Sequence, residues 1–415
     1  MTVTREADSK KISILWVSAF LYSPALSNIL RQFAQLGHEV SLISVRTKGN
    51  SQIENGRVRV ISVPLRQIPL ISPVLFTIFL FFYLPFFTAT STLNVIIIDP
   101  YVHFLGAFPQ LLISRFKKVK CVLDVRTTPV ETTGFRGLLQ KFWFSVSILT
   151  AKKLFDGMTI ITPLMKKEVC DRFNINPAKV GVWTSGVSGS LFDPRNHILE
   201  SAELKIKLGL ARKFIVFHHG VFTATRGLQE VIKAIKILKN RYSDIVFFLL
   251  GTGPAVFNLK SLIQKEHVQD NVVIHDPIAQ FEVPKFIGMS DVCIIPLPCH
   301  PYWRFQSPQK LLEYLAMEKT VILTDIPAHR AIVGEAKCGI YISSVKPIEI
   351  AKAIEYVYCN KKNLKAWGKI GREIIKREYT WEKVAKDLEN YLLSIDVLRG
   401  NRRNSCYEDR NRSES

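Results

Sequence analysis

Short apolar runs rich in β-branched residues recur through the first half of the chain, with segments of helical spacing between them. The runs are Ile12–Val17, Val40–Val45, Val58–Val63, Val95–Ile98, Cys121–Val125, Met158–Ile161 and Val180–Trp183. Because these runs are continuous and do not alternate with polar residues, they are typical of strands buried on both faces of a parallel sheet. The pattern predicts an α/β domain.

A second series of the same kind follows a polar stretch at 193–207. Its runs are Phe214–His218, Ile245–Leu250, Val272–His275, Val292–Pro296, Val321–Thr324 and Ile340–Ile342. Two strand–helix series predict two Rossmann-like domains, at 1–192 and 193–375. Such sheets bind ligands at the carboxyl ends of their strands, so two facing sheets would form a binding cleft. Residues 399–415 are almost wholly polar and are expected to be disordered.

One segment raises the question of a membrane. Ile68–Ala89 has no charged residue in 22 positions and contains six phenylalanines. It is long enough to span a bilayer, but three prolines interrupt it. Strands are also predicted on both sides of it, and a single span would place them on opposite faces of the membrane. A helix lying in the membrane interface, an ordinary buried helix and a true span are the alternatives.

The chain is strongly basic, with 56 lysines and arginines against 35 acidic residues and a net charge of +21. The first 190 residues alone carry 22 basic and 10 acidic residues. Such an excess favours anionic partners, including anionic membrane surfaces. The seven cysteines form no CxxC pair, which argues against a disulfide framework or a structural zinc site. With no visible secretory signal, we expect a cytoplasmic location, in which the protein could be peripheral on the inner membrane face.

The residues Ser307 and Pro308 have the features of a helix start, since serine is a good N-cap and proline fits the first helical position. Free backbone N–H groups and the helix dipole make such a start an anion site. Lys310 would add a cation, and Glu313 can accept hydrogen bonds from a vicinal diol such as ribose. The alternative is an ordinary capped helix with an exposed lysine–glutamate pair.

The stretch HHGVFTATRG at 218–227 links an apolar run to an amphipathic helix. Gly220 permits close approach of a ligand to the backbone. Arg226, at the expected helix start, can bind a phosphate through both arms of its guanidinium. Gly251 and Gly253 form a similar glycine-rich turn after the next run. The alternatives are a surface arginine beside a turn and a turn common to any α/β protein.

The sequence contains no paired carboxylates of the Asp-x-Asp type that could hold a divalent metal on a diphosphate. His218 and His219 have no further ligand at metal-site spacing and are interpreted as packing residues of the strand end. The charge of a leaving diphosphate would then be met by Arg226, Lys310 and helix dipoles. We expect neither a metal nor a cofactor.

Polar residues also follow two runs in the first half of the chain. Asp124, Arg126 and Glu131 come at or after the end of one run, and His103 follows another. Side chains at the carboxyl ends of strands face the expected cleft, so the first three are candidates for acceptor binding or acid–base chemistry, and His103 is a further candidate. The alternative for these three is a salt-bridge network in a loop, and for His103 a structural role.

These motifs together resemble the retaining glycosyltransferase family 4, the group 1 glycosyltransferases, over residues 11–395. SPQKLLEYLA at 307–316 is similar to the family's S-P-x-K-x-x-E-Y-x-A segment. GVFTATRGLQEVIKAI at 220–235 is similar to its glycine loop and the helix that follows. GHEV at 37–40, TSGV at 184–187 and the segments LLGTGP and VVIHDPI also fit.

The resemblance implies a GT-B fold with the nucleotide sugar bound by the second domain. Glu313 would bind the donor ribose, and Arg226 would be the phosphate-binding cation. Ser307, Pro308 and Lys310 would lie along the diphosphate. The resemblance also implies that the last helix, at about 376–396, packs back on the first domain.

Three departures from the family pattern concern the sugar end of the site. Val221 stands where many members have arginine, and Phe305 stands where the family's E-x7-E pattern has its first acid. DVRTTPVE at 124–131 replaces a His-Asp pair. Subfamilies with the SPxKxxEY motif share these departures, so the resemblance still implies activity.

The expected reaction is transfer of a hexose-type sugar, with retention, from a UDP- or GDP-linked donor to a lipid-linked or cell-envelope glycan acceptor. The first alternative is another GT-B sugar-nucleotide enzyme, such as a UDP-sugar epimerase. The second is a nucleic-acid binder, which is suggested only by the charge. No known nucleic-acid module appears in the sequence, so we expect no nucleic-acid partner.

Overall fold

The computed structural model describes residues 11–18, 24–45, 57–65, 68, 71–100, 102–129 and 134–395. The chain forms two compact units, one of Met1–Thr184 with Val384–Ser415 and one of Ser185–Lys383. The first boundary thus lies eight residues before the predicted position at 192, and the return to the first unit comes at 384. The tail at 399–415, expected to be disordered, lies outside the described residues.

The first unit is built on a seven-stranded parallel sheet in the order β3-β2-β1-β4-β5-β6-β7. The strands are β1 (Ser13–Ser18), β2 (Glu39–Val45), β3 (Val58–Val63), β4 (Val95–Ile98), β5 (Lys120–Val125), β6 (Gly157–Ile160) and β7 (Val180–Val182). Nearly every residue of β1, β4 and β5 is buried, as the continuous apolar runs predict. The strand order reverses between β1 and β4, where open α/β sheets place a ligand crevice.

Five α-helices lie between the strands of the first unit in the described part of the chain. They are α1 (Pro24–Gln35), α2 (Ile71–Thr90), α3 (Phe108–Lys117), α4 (Gly134–Leu154) and α5 (Pro163–Phe173). In α1 the apolar residues Leu26, Ile29, Leu30 and Phe33, which recur at helical spacing, are buried. Leu36 has the same spacing but follows the end of the helix and is exposed.

Residues 384–395, part of a helix that begins at 381, complete the first unit. The Tyr391 hydroxyl accepts a hydrogen bond from the Met158 N–H and donates one to the Lys179 carbonyl. Gly157 and Gly181 leave room for the Tyr391 ring, which a Cβ at either glycine would overlap. The last helix therefore packs on the first unit, as the resemblance implied.

Helix α2 is long and apolar enough to cross a membrane, on length and composition alone, and no other helix among the described residues is. Only 33% of its most apolar stretch is buried. Its buried residues lie on one side, and the opposite side carries exposed apolar side chains, which we call the α2 apolar face. That face consists of Ile71, Val74, Leu75, Ile78, Phe81, Phe82 and Phe86. A face of this size on a folded unit marks a surface that contacts something other than water.

The second unit is built on a six-stranded parallel sheet in the order β10-β9-β8-β11-β12-β13. Its strands are β8 (Phe214–Val221), β9 (Ile245–Thr252), β10 (Val272–His275), β11 (Val292–Ile295), β12 (Val321–Thr324) and β13 (Gly339–Ile342). Its helices are α6 (Ile198–Lys207), α7 (Leu228–Leu238), α8 (Val256–Lys265), α9 (Val283–Met289), α10 (Gln309–Ala316), α11 (Pro327–Val333), α12 (Pro347–Cys359) and α13 (Leu364–Glu378). Apolar clusters fill both faces of this sheet.

The two strands nearest the predicted glycine motifs extend further than the apolar runs that predict them. β8 continues to Val221 and β9 to Thr252, with Gly220 paired to Gly251 in the ladder. The apolar runs end earlier because His219 and Gly220 in β8, and Gly251 and Thr252 in β9, are not apolar. His219 and Gly220 therefore lie at the edge of the sheet where its parallel strands have their carboxyl ends.

Candidate functional site

Lys310 lies over the backbone of Gly220 at the end of β8. A Cβ atom on Gly220 would lie 2.7 Å from Lys310 Cε and 3.0 Å from Nζ. Gly220 has a φ of +114°, a conformation that favours glycine. Burial, together with the charge of Arg226 and partly offset by Glu313, lowers the pKa of Lys310 to about 7. The predicted glycine and lysine are thus neighbours, and the amine is partly withdrawn from water.

Arg226 belongs to a short 3-10 turn, Ala224–Arg226, that ends two residues before α7 begins. The prediction that it stands at the start of the helix is therefore wrong by two residues, because Gly227 adopts a φ of +70° and separates the turn from the helix. The guanidinium carbon lies 5.7 Å from the centroid of the Trp303 ring. Arg226 Nε is buried and has no hydrogen-bond partner among the described residues. A buried N–H without an acceptor is costly, which favours a ligand oxygen at this point.

Glu313 lies on α10, and its carboxylate is buried beside the end of β8. Its Oε2 atom is 3.0 Å from His219 Nε2. The Tyr314 hydroxyl is 3.0 Å from His219 Nδ1 and 3.1 Å from the backbone nitrogen of His219. His219 packs against the rings of Phe217 and Tyr314, as predicted, and it also hydrogen-bonds a predicted site residue, which the sequence analysis did not foresee. Its place directly before Gly220 is the sequence signal that could have indicated this.

His218, in contrast, points into the interior. Its Nδ1 lies 2.8 Å from the Ile294 carbonyl and donates to it, while Nε2 is buried without a partner in the described part of the chain. Burial, followed by the charge of Lys310, holds the pKa of His218 well below its usual range. This imidazole is neutral at pH 7, and its position agrees with the predicted packing role.

Ser307 and Pro308 do not cap α10 as predicted. The helix begins at Gln309, Pro308 is the capping residue, and no side chain caps the first turn. Ser307 instead accepts a hydrogen bond from the Ser185 N–H through Oγ (3.0 Å), and the Ser185 hydroxyl donates to the Ser307 carbonyl. Ser307 does not cap the helix because its side chain and carbonyl are hydrogen-bonded to Ser185.

Gly251 and Gly253 are required by the packing of the sheet itself. A Cβ on Gly251 would overlap the Gly220 carbonyl oxygen, and one on Gly253 would overlap the backbone of Phe222. Both glycines have φ values, +140° and +153°, that disfavour a side chain. Both glycines thus allow close contact between neighbouring backbone segments. Their contact with a ligand stays a prediction.

In the first unit, Asp124 is buried at the end of β5 and bound to its own neighbours. Its Oδ1 accepts hydrogen bonds from Thr159 Oγ1 (2.8 Å) and Trp183 Nε1 (2.9 Å). Arg126 stacks on Trp183, with 3.4 Å between the guanidinium carbon and the ring centroid, and donates to the Trp183 carbonyl. Burial raises the pKa of Asp124 and lowers that of Arg126 to about 10. A substrate role for this pair stays a prediction.

Asp99 is a residue that the sequence analysis missed. It follows β4 at the reversal of strand order, and its Oδ2 accepts a hydrogen bond from the Ser18 hydroxyl (2.5 Å) at the end of β1. Burial raises its pKa to about 7, and the nearby charge of Asp124 adds to the effect. The sequence signal was the position of Asp99 directly after a predicted strand. The sequence analysis chose only His103 from the segment that follows this strand.

Two candidates lie beyond what the structure describes. Glu131 is outside the described residues, and for His103 only the backbone position, in the 3-10 turn Val102–Ala107, is described. Among the described residues, no group of three histidine, cysteine, aspartate or glutamate side chains is arranged to hold a metal ion. The second unit thus places Lys310 against Gly220 and within electrostatic range of both Arg226 and Glu313.

The two units, each built on an open parallel sheet with a reversal of strand order, define an α/β protein of the GT-B class. Residues 200–374 match the family model for glycosyl transferases group 1, and residues 25–190 match the model for glycosyltransferase family 4. The chain belongs to the group 1, family 4 glycosyltransferases.

Similar proteins of known sequence are glycosyltransferases. An uncharacterised glycosyltransferase of Methanocaldococcus jannaschii is 23% identical over 72% of this chain and 75% of its own length. A D-inositol 3-phosphate glycosyltransferase of Arthrobacter is 24% identical over 59% of this chain and 58% of its own length. A GDP-mannose-dependent phosphatidylinositol monomannoside mannosyltransferase of Mycobacterium tuberculosis is 22% identical over 48% of this chain and 52% of its own length. These names do not favour the epimerase alternative.

Solved structures share the fold across nearly the whole chain. A glycosyltransferase of Rickettsia africae superposes with a TM-score of 0.73 at 18% identity, covering 92% of this chain and 99% of that one. Anabaena HepE, crystallised with UDP, superposes with a TM-score of 0.73 at 13% identity, covering 92% and 100%. At these identities the likeness establishes the GT-B fold and leaves the substrates to be argued from the site.

Proposed function

We propose that this glycosyltransferase moves a hexose-type sugar from a UDP- or GDP-linked donor to a lipid-linked or cell-envelope glycan, with retention of anomeric configuration and without a metal. The observation that carries the proposal is a pair of cations, Arg226 and Lys310, whose charges act on each other and the second of which lies against Gly220. Arg226 has a buried Nε without a partner among the described residues, and the Lys310 amine is partly withdrawn from water. Both would regain partners from the oxygens of a diphosphate.

The chemistry follows from where charge develops. When the bond from the sugar to the diphosphate breaks, negative charge grows on the leaving oxygens. Arg226 and Lys310 would stabilise that charge in place of a metal, and each such contact can lower the barrier by about 3 kcal/mol. Glu313 would accept hydrogen bonds from the donor ribose, as the resemblance implies.

The donor and acceptor classes rest on different observations. Structures of similar fold include one crystallised with UDP, and a relative is named for its dependence on GDP-mannose, which supports a UDP or GDP donor. The same relative is named for a phosphatidylinositol-linked acceptor. The α2 apolar face and the excess of basic residues support docking on the anionic inner face of a cytoplasmic membrane, where such acceptors lie.

The proposal is tested first by ligand binding. A ligand that binds only the folded state raises the melting temperature, so UDP or GDP should stabilise the protein whereas uridine and guanosine should not. Arg226→Ala and Glu313→Ala should reduce this shift and the rate of donor turnover. Arg212→Ala is the matched control, because Arg212 is an exposed arginine of the same unit. Unchanged turnover in both site variants would contradict the site.

A further inference from the structure

Glu313, a predicted ribose ligand, is hydrogen-bonded to His219, which is in turn hydrogen-bonded to Tyr314. The resemblance to the family assigns no role to either of these two residues. His219 Nε2 lies 3.0 Å from Glu313 Oε2, and His219 Nδ1 lies 3.0 Å from the Tyr314 hydroxyl. Tyr314 is fully buried, and only small fractions of the His219 and Glu313 side chains are exposed. The three side chains form a chain of hydrogen bonds at the end of β8.

The Glu313 carboxylate determines the direction of its hydrogen bond with His219. A carboxylate only accepts, so His219 Nε2 carries a proton and donates to Glu313. Nδ1 accepts when it carries no proton, and the Tyr314 hydroxyl then donates to it. The Tyr314 oxygen in turn accepts from the His219 backbone N–H at 3.1 Å. Every member of the chain thus has its partner.

This arrangement occupies one oxygen of the Glu313 carboxylate and leaves the other oxygen available to a ligand. Glu313 Oε1 makes no hydrogen bond within the part of the chain that the structure describes, whereas Oε2 is bound to His219. A carboxylate fixed through one oxygen presents the second in a defined direction. Two neighbouring hydroxyls of a sugar ring can share such an oxygen, as the vicinal hydroxyls of ribose would.

We propose that His219 and Tyr314 are positioning residues that fix the Glu313 carboxylate for recognition of the ribose hydroxyls of a nucleoside diphosphate. The inference rests on the proposed function and adds two residues and a specificity to it. A site built to bind substrate hydroxyls discriminates strongly against an analogue that lacks them, because its buried polar groups are then left unpaired.

The test measures the ratio of two affinities in each protein. A variant that is less stable lowers both affinities alike, so the ratio is unaffected. UDP and GDP are each compared with their 2′,3′-dideoxy analogues by isothermal titration calorimetry. The wild-type protein should prefer the ribose form by about 100-fold. His219→Leu should reduce this preference to about tenfold or less, because the carboxylate loses its only donor among the described residues. His219→Gln, which retains a donor amide, should restore part of it.

Tyr314→Phe should reduce the preference about three- to tenfold, because Nδ1 of His219 loses the donor that fixes its tautomer. Tyr341→Phe is the matched control: its hydroxyl bonds the Gly334 carbonyl in the same unit and lies outside this chain of bonds. A ribose preference unchanged in His219→Leu, with UDP or GDP still bound, would overturn the inference alone. Failure of the wild-type protein to bind either nucleotide would overturn the proposed function and, with it, this inference.

Discussion

Lys310 and Gly220 are so close that even a methyl group on the glycine would contact the lysine, at 2.7 Å from Cε. Gly220→Ala is therefore expected to displace the amine and to weaken UDP binding tenfold or more, measured by calorimetry. The control is Gly209→Ala, which has a φ of +71° but no atom within 4 Å of the added Cβ. Equal losses in both variants would show that backbone strain, and not displacement of Lys310, is responsible.

The lowered pKa of Lys310 predicts that nucleotide binding takes up a proton. At pH 8 the free amine is mostly neutral, since its pKa is about 7, and a bound diphosphate would draw it back to the charged form. Titrations at pH 8 in Tris and in HEPES should reveal uptake approaching one proton, and affinity should fall as the pH rises above 7. Lys310→Arg, which stays charged, should bind without uptake. Uptake that persists in this variant would assign the proton to another group.

Asp99 should make the wild-type protein less stable as the pH rises. Its pKa is about 7 in the folded state against 3.8 in the unfolded chain, so the folded state holds the proton more tightly between these values. That contribution is complete below pH 3.8 and is lost as the pH rises through 7. Asp99→Asn, which resembles the protonated form, should be more stable than wild type at pH 8 by about 1–2 kcal/mol and similar to it near pH 4. Melting curves of both proteins at the two pH values check the sign, and a gain that is largest near pH 4 would refute it.

The buried pair of His38 and Glu389 should be important for the stability of the first unit. His38 Nε2 and Glu389 Oε1 are 2.9 Å apart, and both side chains are wholly buried. Glu389→Ala leaves the imidazole without its acceptor, and we expect a loss of about 3 kcal/mol in the free energy of unfolding by urea. Glu382→Ala, an exposed glutamate on the same helix, should change stability by less than about 0.5 kcal/mol. Similar small effects in both variants would mean that packing alone holds the helix.

The α2 apolar face should bind membranes that carry anionic lipids. The Phe82→Ser and Phe86→Ser double variant should sediment several-fold less with phosphatidylserine-containing liposomes, because it removes two of the most exposed phenylalanines of the face. Raising the salt concentration should weaken binding of both proteins, since basic residues contribute. Phe257→Ser is the control, as this phenylalanine is 78% exposed but lies in the second unit. If the wild-type protein fails to sediment even at low salt, the docking proposal falls.

The architecture was predictable because its signals are local. Each parallel strand required a continuous apolar run, and the amphipathic helix predicted after 218–227 is present as Leu228–Leu238. The predictions failed where a residue's role depends on distant partners. Ser307 looked like a helix cap, but Ser185, more than 100 residues earlier, uses it as a hydrogen-bond acceptor.

The candidate site was predictable to the same extent. The motif residues Lys310 and Glu313 were chosen from spacing, and the structure places them beside Gly220 and His219. The contact of His219 with Glu313 was not foreseen, because its place before Gly220 indicates only that it lies near the glycine loop and not which carboxylate it will meet. Asp99 was missed because the low polarity that raises its pKa is a property of the folded unit and not of the adjacent sequence.

The position of residues 384–395 has a consequence for synthesis of the protein. This last segment supplies Tyr391 and Glu389 to the first unit, yet it follows the whole of the second unit in the chain. On the ribosome, the first unit must therefore wait with its core incomplete while some 200 residues of the second unit, Ser185–Lys383, are made. The second unit is free to fold earlier, so the amino-terminal half of this enzyme is expected to mature last.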